Sequence, residues 1–321
     1  LHVVPSDEVP FFFQALAERR TPAELRSQES LLVQAGLCRD EEAGTLLQQL
    51  HRRVLHVLAE TGTCTVRQIS NAVPELATKV QHSAGKSYAG EFSIGSRLVP
   101  SMCTLGLLIR ARPRGTWRSN LYEYATLSGW LPGVDLDCTP PREAQTWLVR
   151  RYLSAFGPAT FSDVQWWTGF SKGETETALR VLKPEMVEVS IQGLGDGYLM
   201  LADDAQQLDS FSLPDTRYVF LLPSLDPYIM GFQVRRRFLA SEHHAKVFDR
   251  AGNAMPTVWV NGRVGGAWKQ RKDGGVTYGL FDAVEQAEQR LLAAEAHRLE
   301  LFLGNESLPQ RSQTAFTRAL A

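Results

Sequence analysis

Residues 40–61 read DEEAGTLLQQLHRRVLHVLAET. Leu47, Leu50, Val54, Val57 and Leu58 recur at spacings of three and four, which places them on one stripe of an α-helix. Asp40 is the expected cap, and Thr61-Gly62-Thr63 ends the helix. Thr65 to Ala72 follows as a second, short helix, with Thr65 as cap and Ile69 facing inward. Ser83 to Gly90 is rich in small residues and reads as a loop. A third helical segment carries Ile94, Leu98, Met102 and Leu105 and stops at Gly106; Pro100 inside it predicts a kink or a later start. Leu107 to Ala111 and Leu121 to Thr126 read as strands around the turn Arg112 to Asn120. Helix, short helix, helix and two-stranded hairpin is the winged-helix order, a variant of the helix-turn-helix.

The same order returns downstream. Pro141 opens a helix bearing Trp147, Leu148, Tyr152 and Phe156; Thr160 to Trp167 is a short helix closed by Gly169; Ser171 caps a third through Leu182; Met186 to Ile191 and Tyr198 to Leu201 are strands. A repeated unit strengthens the reading of each copy. A different region follows. Tyr218 to Leu222 is an apolar strand, and Asn261-Gly262 joins Thr257–Val260 to Arg263–Lys269 with the strongest short-range hairpin signal in the chain. Val276 to Phe281 adds a further strand, and an amphipathic helix from about Ala283 to Leu303 closes the region.

Upstream, Leu1 to Val4 reads as a short strand, Val9 to Ala17 as a helix, and Thr21-Pro22 as the start of a second short helix. The expected fold class is therefore α+β: tandem winged-helix domains, then a small antiparallel β-meander domain with a closing helix. The expected divisions are residues 1–39 (remnant of a first winged helix and connecting helices), 40–130 and 141–203 (winged helices), 204–304 (β-rich domain) and 305–321 (a frayed tail).

Composition narrows the chemistry. Hydrophobic residues make up 44% and charged residues 21% of the 321, as in ordinary globular proteins. The net charge of -1 lacks the excess of a strong nucleic-acid binder, so DNA affinity must come from local clusters. Cys38, Cys64, Cys103 and Cys138 are dispersed, which argues against a zinc ribbon or a disulfide framework. No apolar run is long enough to cross a bilayer and no signal peptide is visible, so the cytoplasm is the expected location and no membrane partner is expected. Gly85-Lys86-Ser87 imitates a phosphate loop, but Val80 stands where glycine is required. His243-His244 reads as helix surface, and Trp166-Trp167 as core and cap.

The basic residues are grouped. Arg110, Arg112, Arg114 and Arg118 lie in the first wing, and Arg97 on the outer face of the third helix; either set suits phosphate contacts, or a solvated hairpin tip. Arg235-Arg236-Arg237 follows Asp226 and Tyr228, and a basic run beside an exposed aromatic suits an extruded base or single strand, against a solvated charge run. Lys269, Arg271 and Lys272 form a third patch.

Arg151 to Thr160 (RYLSAFGPAT), Asp163 to Gly169 (DVQWWTG), Leu221 to Phe232 (LLPSLDPYIMGF) and Gly252 to Arg263 resemble the winged-helix DNA-binding family that contains the AlkZ-type DNA glycosylases. The resemblance runs to about residue 303. It implies three tandem winged helices and a β-rich domain around a concave, positively lined DNA channel. It implies a monofunctional glycosylase that hydrolyses the N-glycosidic bond of alkylated purines or crosslinked nucleotides, with double-stranded DNA as partner, no cofactor and a monomeric state. The family's catalytic signature is a Gln-apolar-Gln or Gln-apolar-Asp triplet in the first winged helix. Gln34-Ala35-Gly36 and Gln165-Trp166-Trp167 do not match it, so no catalytic residue is assigned and the triplet is expected upstream of Leu1. Two other readings stay open: a non-catalytic winged-helix regulator, which requires a palindromic site and a dimer, and a protein-interaction scaffold.

Overall fold

The computed structural model describes residues 3–82, 90–115, 119, 121–212, 216–308 and 313–320. It divides into two compact units, Leu1–Leu148 and Val149–Ala321. The architecture is mixed α+β with several small antiparallel sheets.

In the first unit the order is α1 (Val9–Gln34), α2 (Asp40–Thr61), β1 (Cys64–Thr65), α3 (Val66–Ala72), β2 (Lys79–His82), β3 (Gly90–Ser93), α4 (Gly95–Met102), β4 (Leu108–Pro113), β5 (Tyr122–Thr126) and α5 (Leu127–Trp130). The stripe on α2 buries Leu47, Leu50, Val54 and Leu58 against Ile69, Leu98, Val99 and Met102 of α3 and α4. Thr65 caps α3 in a reciprocal capping box with Gln68. A two-residue strand makes the β4–β5 hairpin a three-stranded sheet: β1 pairs with β5 through Cys64 opposite Tyr124, in the order β1-β5-β4.

The second unit repeats this plan. Helix α6 (Pro141–Phe156) spans the boundary, then come β6 (Ala159–Thr160), α7 (Phe161–Thr168), α8 (Lys172–Leu182), β7 (Met186–Ile191) and β8 (Gly195–Leu201). Their sheet has the equivalent order, β6-β8-β7. Thr160 and Ser171 cap α7 and α8 in boxes closed by Asp163 and Glu174, and Gly169 ends α7 in the left-handed conformation. After α9 (Ala202–Ser210) and β9 (Val219–Leu222) come α10 (His244–Val247), β10 (Thr257–Val260), β11 (Arg263–Gln270), β12 (Val276–Leu280), α11 (Gln286–Leu303) and α12 (Ala315–Ala319). The sheet β12-β11-β10-β9 buries Val258, Trp268 and Val276 against Leu292, Ala296 and Leu303 of α11. Asn261 and Gly262 both have positive φ, as a type I′ turn demands.

Gly266 faces Leu280 across the β11–β12 ladder, and a Cβ there would collide with the carbonyl oxygen of Gly279. Backbone cannot move aside as a flexible side chain does. Gly266→Ala is expected to cost about 3 kcal/mol, read as a lower midpoint in urea unfolding.

Three expectations are corrected, and a fourth, the loop, falls mostly outside the described residues. Val9 to Gln34 is one continuous helix that passes through Pro22, where two helices were expected. Burial of Gln14, Ala15, Gln28 and Leu32 along its length outweighs the lost hydrogen bond. Val3 is 95% exposed and Val3-Val4 is not in a strand; Leu1 and His2 lie outside the described residues. The flanks of the expected loop at 83–90 pair as the hairpin β2–β3, with Val80 buried and Lys79 bridged to Glu91 at 2.6 Å; residues 83–89 lie outside the described residues. The expected frayed tail carries α12, where the Thr314 hydroxyl donates to Lys246 O at 2.9 Å and Phe316 packs edge-on to Phe281 at 5.0 Å. Its residues 309–312 and 321 are outside the described residues.

Candidate nucleic-acid interface

In the first unit, α4 and the β4–β5 hairpin bring forward the arginines. Arg97 is exposed on α4, 5.1 Å from the ring centroid of Phe92 on β3. Arg110 lies 5.5 Å from the ring of Tyr122, across the hairpin. Arg112 is exposed. Arg114 is engaged: its Nε donates to Glu123 at 2.7 Å, and this bond holds the Glu123 carboxyl below the usual range. Arg118 lies outside the described residues. Pro100 sits inside α4, which ends two residues later at Met102.

Below these helices lies a buried polar chain. Gln28 of α1 is 2% exposed; its Oε1 meets His51 Nε2 of α2 at 2.7 Å and its Nε2 donates to Ser101 Oγ of α4 at 2.7 Å. Because that amide oxygen only accepts, His51 Nε2 carries the proton in this arrangement. Burial pushes the His51 imidazole down to about 4. Gln28 thus joins α1, α2 and α4 through one side chain.

In the second unit the basic run is not a solvated strip. Arg236 is exposed and donates to Leu194 O, at the tip of the β7–β8 hairpin. Arg237 turns inward, 4.0 Å from the centroid of Phe232 and 5.5 Å from Tyr198, and donates to Pro158 O at 2.7 Å. The Arg235 guanidinium is 3.8 Å from the centroid of Phe248 and 5.6 Å from that of Trp166, and burial pushes its pKa down. Such stacking is favourable for a planar cation. Trp166 is 38% exposed, whereas Trp167 packs 5.0 Å from Tyr152; the expectation of core holds for one of the pair.

Asp163 fixes this run in place. It is fully buried; Oδ1 accepts from the backbone N–H groups of Gln233 at 2.8 Å and Val234 at 2.9 Å, while Oδ2 accepts from Thr160 N at 3.0 Å and Thr160 Oγ1 at 2.7 Å. The Tyr152 hydroxyl donates to Gly231 O at 2.9 Å, so α6 holds the other flank; burial and the nearby Asp163 push that phenol up. Asp163 closes the capping box of its own helix, and its second role, about seventy residues along the chain, had no sequence signal.

The remaining expected residues are scattered within the second unit. Asp226 Oδ1 accepts from Tyr228 N at 3.0 Å and shapes a tight turn. Tyr228 is 44% exposed but clusters with Phe232, Phe238 and Trp259 at 5.3–5.9 Å. Lys269 lies on β11 opposite Thr277, and Arg271 is paired with Asp273 at 3.1 Å. His243, expected on a helix surface, is buried and meets Asp282 at 2.9 Å; His244 is exposed. Among the described residues no helix is long and apolar enough to span a membrane.

Fold and surface together define a protein of mixed α+β architecture that carries exposed arginines on both of its units. A family model described as DNA glycosylase AlkZ-like matches residues 1–302, and the chain belongs to that family. An interstrand DNA cross-link repair glycosylase of Streptomyces sahachiroi is 29% identical over 184 residues, which cover 56% of this chain and 48% of that protein. The match thus spans about half the length of that relative. The solved structure of the Streptomyces sahachiroi DNA glycosylase AlkZ resembles this fold with a TM-score of 0.66 at 20% identity, covering 96% of this chain and 77% of that one.

Proposed function

We propose that the full-length protein is a monofunctional DNA glycosylase that releases alkylated purines, and that its repeated helix-and-hairpin units serve as winged helices on duplex DNA. The family match over residues 1–302 carries this reading. The repeated sheet order, β1-β5-β4 and β6-β8-β7, supports assigning residues 40–130 and 141–203 as winged helices, with the β-rich domain at 204–304. The name of the Streptomyces relative extends the substrate to interstrand crosslinks.

The chemistry asks little of the protein. An N7-alkylated purine is already a cationic leaving group, so its bond to C1′ breaks without a general acid. Water adds to C1′ and gives up a proton to the solvent, while the base departs with the bonding electrons and is thereby neutral. A polar side chain that places the water and steadies the positive sugar suffices. Arg97 and Arg112 in the first unit, and Arg235 and Arg236 in the second, would contact phosphates and so position the duplex without reading sequence.

The test is incubation of the full-length protein with methylated duplex DNA. Free N7-methylguanine and alkali-labile abasic sites are expected. Intact glycosidic bonds with enzyme in excess would refute the activity, and selective retention of one palindromic operator would favour the regulator instead.

A further inference from the structure

Gln233, Val234, Arg235, Arg236, Ser241 and His244 are among the residues that line a cavity of about 210 Å³ in the second unit. The Arg235 guanidinium is wedged beside Phe248 and Trp166, and its Nε is buried with no hydrogen-bond partner. No carboxylate pairs with it among the described residues. A buried guanidinium N–H with no acceptor is costly, and an acceptor that reached it from the cavity would offset that cost. We propose that this cavity is a phosphate-binding pocket, with Arg235 as the counter-charge and Arg236, Ser241 and His244 as flanking donors.

The chemistry of the lining suits a phosphate. A planar guanidinium presents parallel N–H groups that match two phosphate oxygens. The aromatic stack fixes that fork before the ligand arrives, so little rotamer freedom is lost on binding. His244 stacks on the same Phe248 ring at 4.8 Å, and burial together with the charge of Arg235 keeps it toward the neutral form. A neutral imidazole offers an N–H without adding a second desolvated charge. The Ser241 hydroxyl and the free N–H groups of Arg236 offer others. Asp163 holds the backbone of Gln233 and Val234, so the pocket wall is tied to α7 and does not belong to a loose loop.

The proposal rests on the glycosylase reading only in taking the phosphate from a DNA backbone. Inorganic phosphate, titrated by calorimetry at constant ionic strength, tests the pocket itself. Arg235→Gln is expected to weaken its binding by about tenfold or more. Arg235 also packs on Phe248, so Ser241→Ala and His244→Gln at the rim provide second variants, each expected to weaken binding by about threefold. Undamaged duplex tests the source. Arg235→Gln should lower affinity equally on unrelated sequences and reduce the slope of log K against log salt by about 0.9. Weaker phosphate binding with an unchanged duplex slope means that the pocket takes a free or terminal phosphate. Wild-type phosphate affinity in all three folded variants, or no phosphate binding by the wild type, overturns the proposal. Loss of base release with these effects intact would fail the glycosylase reading alone.

Discussion

Asp163→Ala is expected to destabilise the second unit by about 3–5 kcal/mol. The carboxyl is fully buried and accepts four hydrogen bonds, two from the backbone of Gln233 and Val234 and two from Thr160. Alanine removes every acceptor at once. Three backbone N–H groups then lose their partner, and each such orphan costs about 1–3 kcal/mol when water cannot reach it. Relaxation of the 233–237 segment toward solvent recovers part of this sum. Asp163→Asn separates shape from acceptor count. The amide keeps one accepting oxygen, so it satisfies one side of the site and opposes the other, and about half the loss is expected. Urea unfolding at neutral pH measures both. A loss under about 1 kcal/mol for the alanine variant would sink the claim that Asp163 anchors the basic run.

Acid is expected to weaken the first unit through His51. The imidazole is 8% exposed, and burial lowers its folded-state value to about 4, against about 6.5 when unfolded. Between those values the unfolded chain holds a proton that the folded chain does not. Stability therefore rises with pH across the window, and it is lost as pH falls from about 6.5 toward 4. Full linkage would give about 3 kcal/mol; some solvent screening of the ring brings the expectation to about 2 kcal/mol. Protonation also sets a charge in the Gln28–Ser101 chain that holds α4. The measurement is the unfolding free energy at pH 7.5 and at pH 5, for the wild type and for His51→Gln. Equal losses in both proteins would show that other groups carry the acid sensitivity.

Legibility in the sequence followed the range of the interaction. Helix α2 was readable because its stripe of Leu47, Leu50, Val54 and Leu58 is a local period, and the hairpin at Asn261-Gly262 because two adjacent residues set it. Helix α1 was misread at Pro22, since the burial of Gln28 and Leu32 that outweighs the proline depends on α2 and α4. The hairpin β2–β3 is too short to show alternation. Helix α12 is stabilised by Lys246 and Phe281, which lie far back in the chain. The basic run itself was plain in the sequence, but its geometry was not. Arg235 and Arg237 are shaped by Trp166, Tyr198, Phe232 and Phe248, most of them distant in sequence, and no pattern around residue 235 announces them.

Arg236 is a tether as well as a cation, because its guanidinium is bound to Leu194 O at the glycine-rich bend between β7 and β8. Gly193, Gly195 and Gly197 all adopt positive φ there, so the bend has few side chains of its own to stiffen it. A polyanion drawn to the remaining N–H groups of Arg236 therefore meets a cation already fastened to this bend. An anion taken up there is linked, through a single guanidinium, to the tip of the hairpin.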